Sequence, residues 1–167
     1  HVRLLLYRLK TTRRRLWVMN AYFVPPPLLW RTLIKAAMRG VDVRLVLPGV
    51  LDHPPLRWVS RLYFLGLLRK GVRIYEYRSG RQIMHAKCLL LDDYVQVGSS
   101  NWNYRSMYYD WELDVVLRNA ESRKSMEDAF QTMFTRSQEV LAEDFQREPW
   151  LRSLFGKLLW YLLRRWL

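Results

Sequence analysis

The sequence predicts an α/β fold, one sheet covered by helices on its faces, and three observations carry that prediction. Short apolar segments alternate with longer ones whose apolar residues recur at helical spacing. Pro and Gly fall at the junctions between them, and the middle of the chain carries two apolar runs separated by an acidic turn. Half of the 167 residues are hydrophobic, enough to bury one ordinary core and too few for two.

The elements follow in order. Residues 2–14, VRLLLYRLKTTRR, read as a basic helix, and RLWVMNAYFV as a buried strand that stops at Pro25, Pro26 and Pro27, since proline cannot extend a central ladder. LLWRTLIKAAMRG is a helix ended by Gly40, and VDVRLVLPG a second strand. Strand, helix, strand is the sequence form of a βαβ unit with a parallel pair. After Pro54 and Pro55 the order repeats, with a helix over 56–71 and a strand over 72–78. IMHAKCLLLD and YVQVGSSN, joined at Asp92 and Asp93, form an antiparallel hairpin, and WELDVVLRN is a further strand. A long amphipathic helix over 120–141 follows, with Asn119 as its cap. The expectation is five or six strands and three helices over residues 1–148.

Residues 149–167 form a basic, Trp-containing tail. Arg152, Lys157, Arg164 and Arg165 interrupt its apolar residues, and an arginine at a bilayer centre costs roughly 2.5–3.5 kcal/mol, so a spanning helix is not expected. Leu151, Leu154, Phe155, Leu158, Leu162 and Trp166 share a helical face, which suits either the lipid interface or packing on the domain. The chain opens on His1 without a leader and reads as a segment of a longer protein.

Lys and Arg number 28 against 15 acids, a formal charge of +13 with a pI near 10.3, so the expected partner is anionic. Eight Trp and ten Tyr beside these arginines suit a membrane interface, although stacking on nucleic-acid bases uses the same residue types. A lone Cys88 excludes an internal disulfide and reads as core filler.

The chemistry concentrates in HAKCLLLDDYVQVGSSN, residues 85–101. On a strand His85 and Lys87 project to one side, roughly 6.5–7 Å apart along the backbone, so both can reach one phosphate. Asp92 has the opposite parity and is expected to support the turn or to back up the groups that touch substrate rather than to touch it itself. Gly98 allows close backbone approach, and Ser99 and Asn101 can donate to phosphoryl oxygens. Imidazole is a nucleophile or general acid near neutral pH, and ammonium neutralises charge without a metal ion or other cofactor. Glu112, between Trp111 and Leu113, is a costly acid unless paired. His53, between Asp52 and two prolines, reads as a loop residue.

His-x-Lys-x4-Asp followed by Gly-Ser-x-Asn resembles the phospholipase D superfamily signature. Five residues lie between Asp92 and Gly98 where that family usually has six. NWNYRSMYYDWELDVVL and NAYFVPPPLLWRTLIKAAMRGVDVRLVLPGVLDHP are similar to its cardiolipin synthase branch, with Asn103 replacing an Asp. The resemblance implies a phospholipase D-like sheet flanked by helices, one half of a two-module arrangement. It places His85, Lys87, Asp92 and Glu112 in the catalytic set, Glu112 orienting the histidine, and Lys87, Ser99 and Asn101 on the substrate phosphate.

The resemblance also implies two histidines, one attacking phosphorus and one protonating the leaving alcohol. The second would come from a missing N-terminal half or from a homodimer. The activity implied is phosphatidyl transfer to phosphatidylglycerol at the bacterial cell membrane, with the protein peripheral on anionic phospholipid. A nuclease of the same fold, engaging nucleic acid, and a non-catalytic membrane-binding half-module are the alternatives.

Overall fold

The computed structural model describes residues 2–78, 80, 83–145, 155–156 and 158–161. Its centre is a seven-stranded mixed sheet in the order β6-β5-β4-β1-β2-β3-β7. Strands β1 (Arg15–Asn20), β2 (Asp42–Pro48) and β3 (Arg73–Tyr77) are parallel. Helix α1 (Val2–Thr11) precedes them and α2 (Pro27–Met38) joins the first two. The second crossover is two helices, α3 (Pro54–Arg61) and α4 (Phe64–Leu68). Gly40 at φ 84 ends the first crossover as the sequence suggests.

The expected hairpin is β4 (Lys87–Leu91) and β5 (Tyr94–Gly98), with Leu91 opposite Tyr94. Asp92 takes φ 50 in the turn, a conformation Asp tolerates better than most residues. β4 pairs antiparallel with β1, and β6 (Asp114–Leu117) pairs antiparallel with β5.

Strand alternation sends Leu16, Val18, Leu45, Leu47, Ile74 and Leu89 into one core with α1, α2 and α4. Trp17, Met19, Val46, Tyr75 and Leu90 enter a second core under α6 (Ala120–Thr135). Phe134 of that helix meets Trp17 edge-on at 5.2 Å and Tyr75 at 4.8 Å. Each such aromatic pair adds about 0.5–1.5 kcal/mol beyond its buried area. Asn119 caps α6 as expected, its side chain accepting from the Ser122 N–H at 2.6 Å.

Four expectations change. The helix expected to reach residue 141 ends at Thr135, and Ser137–Val140 form β7 along the edge of β3. Ser137 Oγ closes the helix on the Met133 carbonyl, and Arg73 and Glu139 pair at 2.8 Å on the new strand. The helix over 56–71 breaks at Leu62 and Tyr63, which lets Phe64 and Leu67 enter the sheet core while Arg57 and Arg61 stay on Glu76. A short helix, α5 (Tyr104–Tyr108), follows the hairpin. His85 stands outside β4, because the β1–β4 ladder ends at the Asn20–Lys87 pair.

Of the tail, residues 155–156 and 158–161 are helical and lie on α3. Leu159 and Trp160 pack with Val24 and Val59, and Trp160 Nε1 donates to Tyr63 Oη at 3.0 Å. Phe155, Leu158 and Tyr161 remain exposed. Leu151, Leu154, Leu162 and Trp166 lie outside the described residues. Among the described residues no helix is long and apolar enough to cross a membrane.

Candidate active site

The site gathers where β1 ends, β4 begins and β5 ends. Asn20 is 1 % exposed and ties these segments together: it accepts from the Trp102 N–H at 3.0 Å and donates to the Ser100 carbonyl at 3.3 Å. The Val24 N–H adds a bond to the Trp102 carbonyl at 2.9 Å. A buried, fully used amide is costly to disturb, so this knot fixes the two loops relative to each other.

His85 and Lys87 converge. Lys87 Nζ lies 2.9 Å from Nδ1 and 3.2 Å from Nε2 of His85, and it donates to the His85 carbonyl at 2.8 Å. His85 is exposed and Lys87 half-buried. Burial pulls the Lys87 ammonium below its ordinary pKa, a trend opposed by the negative charges of Glu112 and Asp52.

Asp92 lies just past the end of β4 opposite to His85 and Lys87. Its Oδ1 accepts from the N–H groups of Arg14 (2.8 Å) and Arg15 (3.1 Å), and its Oδ2 from that of Arg13 (3.0 Å). It latches the α1–β1 junction to the hairpin turn, as its strand parity suggests. A cavity of about 520 Å³ lined by Arg8, Asp92, Tyr94 and Arg118 lies at that end, away from His85.

Glu112 meets Ser99 rather than His85: the Ser99 hydroxyl donates to its carboxylate and accepts from the Leu113 N–H at 2.9 Å. Among the described residues no hydrogen bond joins Glu112 to His85. Its reach toward Lys87 is electrostatic. Ser99 is thus engaged with 112–113. Asn101 Oδ1 accepts from the Tyr22 N–H at 3.3 Å, which leaves its NH2 end for a phosphoryl oxygen.

Sequence reasoning passed over Tyr22 and Asp52. The Tyr22 ring stands edge-on to His85 with centroids 5.5 Å apart, and Lys87 Nζ lies 5.9 Å from its centroid. Tyr22 Oη donates to both Asp52 oxygens, at 2.7 and 2.9 Å. Burial and then the Asp52 hydrogen bond push the phenol up to about 12, and the same hydrogen bond chiefly holds Asp52 below its ordinary value. His53 caps α3 beside Asp52, with its ring 6.2 Å from Tyr22. No local pattern joins positions 22, 52 and 85, although Tyr22 and Asp52 both fall within the stretch that carries the family resemblance.

A mixed seven-stranded sheet with one His–Lys pair meeting at the ends of its inner strands β1 and β4 defines one module of the phospholipase D type. Solved structures share the fold. Nuc, a phospholipase D family member from Salmonella typhimurium, superposes with a TM-score of 0.70 at 20% identity over 83% of this chain and 89% of that one. Phosphatidylserine synthase from Haemophilus influenzae gives 0.74 at 16% identity over 95% of this chain and 41% of that one.

Residues 5–134 match the family described as "Cardiolipin synthase, PLD-like domain", and the chain belongs to that family. Cardiolipin synthase from Clostridium perfringens is 34% identical over 151 residues, covering 90% of this chain and 30% of that protein. Cardiolipin synthase A from Pseudomonas entomophila is 32% identical over 142 residues, 84% of this chain and 29% of that protein. The chain thus spans about 30% of the length of these curated relatives.

Proposed function

We propose that His85 and Lys87 are the catalytic pair of one half of a phosphatidyltransferase of cardiolipin synthase type. The observation that carries this reading is the 2.9 Å approach of the Lys87 ammonium to the exposed His85 imidazole, with the Asn101 amide nearby. An anion can meet the imidazole and the ammonium at one place.

The reaction has two displacements. One imidazole nitrogen forms a bond to phosphorus as the bond from phosphorus to the leaving alcohol oxygen breaks, and a second imidazole gives that oxygen its proton. The phosphatidylglycerol hydroxyl then loses a proton to the same base while its oxygen bonds phosphorus and the histidine is released. Lys87 and Asn101 hold the phosphate in line in both steps. Water is the competing acceptor.

The second imidazole comes from outside these 167 residues, from an upstream half or from another copy of the chain. In the first arrangement His85 is the acid and base; in the second, either His85 can attack. Glu112 and Asp52 offset the positive charge of the Lys87 ammonium between turnovers, and the basic surface keeps the protein peripheral on anionic lipid at the bacterial membrane.

Phosphatidyl transfer by the full-length protein tests the reading. His85→Ala and Lys87→Ala should each lower the rate about 10²–10⁴-fold; activity undiminished in both rejects the assignment. The +13 charge favours one alternative, a phosphodiesterase acting on nucleic acid. Salt-sensitive DNA cleavage without lipid turnover would establish it.

A further inference from the structure

We propose that Arg57 and Arg78, held by Glu76, form a second anion site beside His85 that takes the phosphodiester of the acceptor phospholipid. The identity of the ligand rests on the phosphatidyltransferase reading; the existence of the anion site does not.

Glu76 is 2 % exposed. Its Oε1 accepts from Arg61 Nη1 at 2.7 Å, while Arg57 Nη2 at 3.2 Å and Arg78 Nη2 at 3.5 Å both lie on Oε2. A buried carboxylate needs a cationic partner, and Arg61 already supplies one in good geometry. Two further guanidiniums then share one oxygen at longer distances, and their side chains are 38 % and 57 % exposed. Arg57 gives Glu76 only Nη2, and its buried Nε has no hydrogen-bond partner among the described residues. A guanidinium binds best through its two-pronged fork, so neither the charge nor the donors of this pair are matched by Glu76. An anion arriving from solvent can meet the exposed parts of both guanidiniums, the buried Arg57 Nε excepted.

The pair lies next to the catalytic groups. His85 touches Tyr22, Tyr22 donates to Asp52, and His53 caps α3. Arg57 is one helical turn beyond that cap. On the sheet, Lys87 is opposite Asn20 and Glu76 is opposite Leu47, with Met19 opposite Val46 one step before. Lys87, Asn20, Leu47 and Glu76 therefore form one row on one face, with Lys87 and Glu76 separated by three strand spacings, about 14 Å between Cα atoms. Lys87 stands at one end of that row on His85, and Arg57 and Arg78 at the other on Glu76. The proposed reaction joins two phosphates through one glycerol: the phosphorus transferred at His85 and the phosphodiester that the acceptor already carries. The second phosphate needs a cationic seat a short way from Lys87, and Arg57 and Arg78 offer it.

Two measurements on the full-length protein test the proposal. Equilibrium dialysis with labelled inorganic phosphate isolates the second site in a Lys87→Ala background, where adding Arg78→Gln should weaken the remaining binding at least fivefold. Arg78 is mostly exposed, so its loss leaves the fold intact, and Arg57→Lys serves as the conservative check at the buried position. Phosphate binding that is absent in Lys87→Ala, or indifferent to Arg78→Gln, overturns the site. Partition of the phosphatidyl group between phosphatidylglycerol and water then tests the ligand. Arg78→Gln should shift it toward hydrolysis several-fold by raising the KM for the acceptor, and an unchanged partition overturns the acceptor role. Absence of transfer in the unmodified protein, with the dialysis result intact, defeats the phosphatidyltransferase reading and leaves the anion site standing.

Discussion

Asp92 shows how one side chain in the signature can tie the fold together. Three backbone N–H groups converge on it, and its φ of 50 favours Asp or Asn. Asp92→Ala should therefore cost about 1–3 kcal/mol, read as a lower urea midpoint, with little change in kcat of the protein that remains folded. Asp92→Asn keeps an acceptor and tolerates the backbone, and should lose less. Burial pushes the Asp92 carboxyl up, but the hydrogen bonds from Arg13, Arg15 and Arg14 outweigh it and the net shift is downward. Its folded pKa is thus below the unfolded value of about 3.9. The charged form's contribution is complete above that value and disappears as pH falls through the lower folded one. The gap between Asp92 and Asp92→Ala stability should narrow on acidification below about pH 4. Tyr22 and Asp52 behave as one unit: Tyr22→Phe removes the main cause of the low Asp52 pKa. The Asp52 titration followed by carbon NMR should move up, and no movement would show that the phenol does not govern it. The pair was hidden in the sequence because it is 30 residues apart and meets only through the loop after β1. His85 and Lys87 were legible because two residues in an extended chain share a side.

Gly98 carries the same logic to the level of strands. A Cβ there would run into the Asp114 carboxylate and the Leu113 carbonyl, so β6 can approach β5 only because the side chain is missing. Gly98→Ala should push β6 outward, loosening the Ser99–Glu112 contact. The expected outcome is a loss of about 1–3 kcal/mol in urea unfolding together with reduced activity; a variant with native stability and rate would place no importance on that approach. The order of β1, α2, β2 and β3 was readable because apolar runs, prolines and Gly40 mark their ends. β7 was not, since SQEV continues a helical charge pattern and has no proline or glycine before it. Its strand identity comes from the vacant edge of β3, a tertiary demand that overrides a weak local preference. The break between α3 and α4 is likewise set by what each half must contact: Glu76 for one, the sheet core for the other.

At the scale of the whole molecule, the basic charge and the exposed His85 imidazole both face solvent. The charge of +13 should make binding to anionic phospholipid vesicles weaken steeply as salt rises, because screening shortens the range of attraction to less than 10 Å above about 0.1 M. Cosedimentation measures this, and salt-independent binding would instead assign adhesion to exposed apolar residues such as Phe155 and Leu158. The chemistry has a stricter requirement. In-line displacement needs a nucleophile on one side of phosphorus and an acid on the other, and a single imidazole cannot occupy both sides at once. The number of His85 side chains that become phosphorylated therefore reports how the second imidazole arrives. If two copies of the chain share one site, rapid quenching of the running reaction and mass spectrometry of the His85 peptide should find about one label per two chains. If an upstream half supplies the nucleophile, His85 should stay unlabelled while another histidine carries the group. Labelling of every His85 would mean that each attacks without a partner imidazole, and the two-histidine mechanism would have to be abandoned.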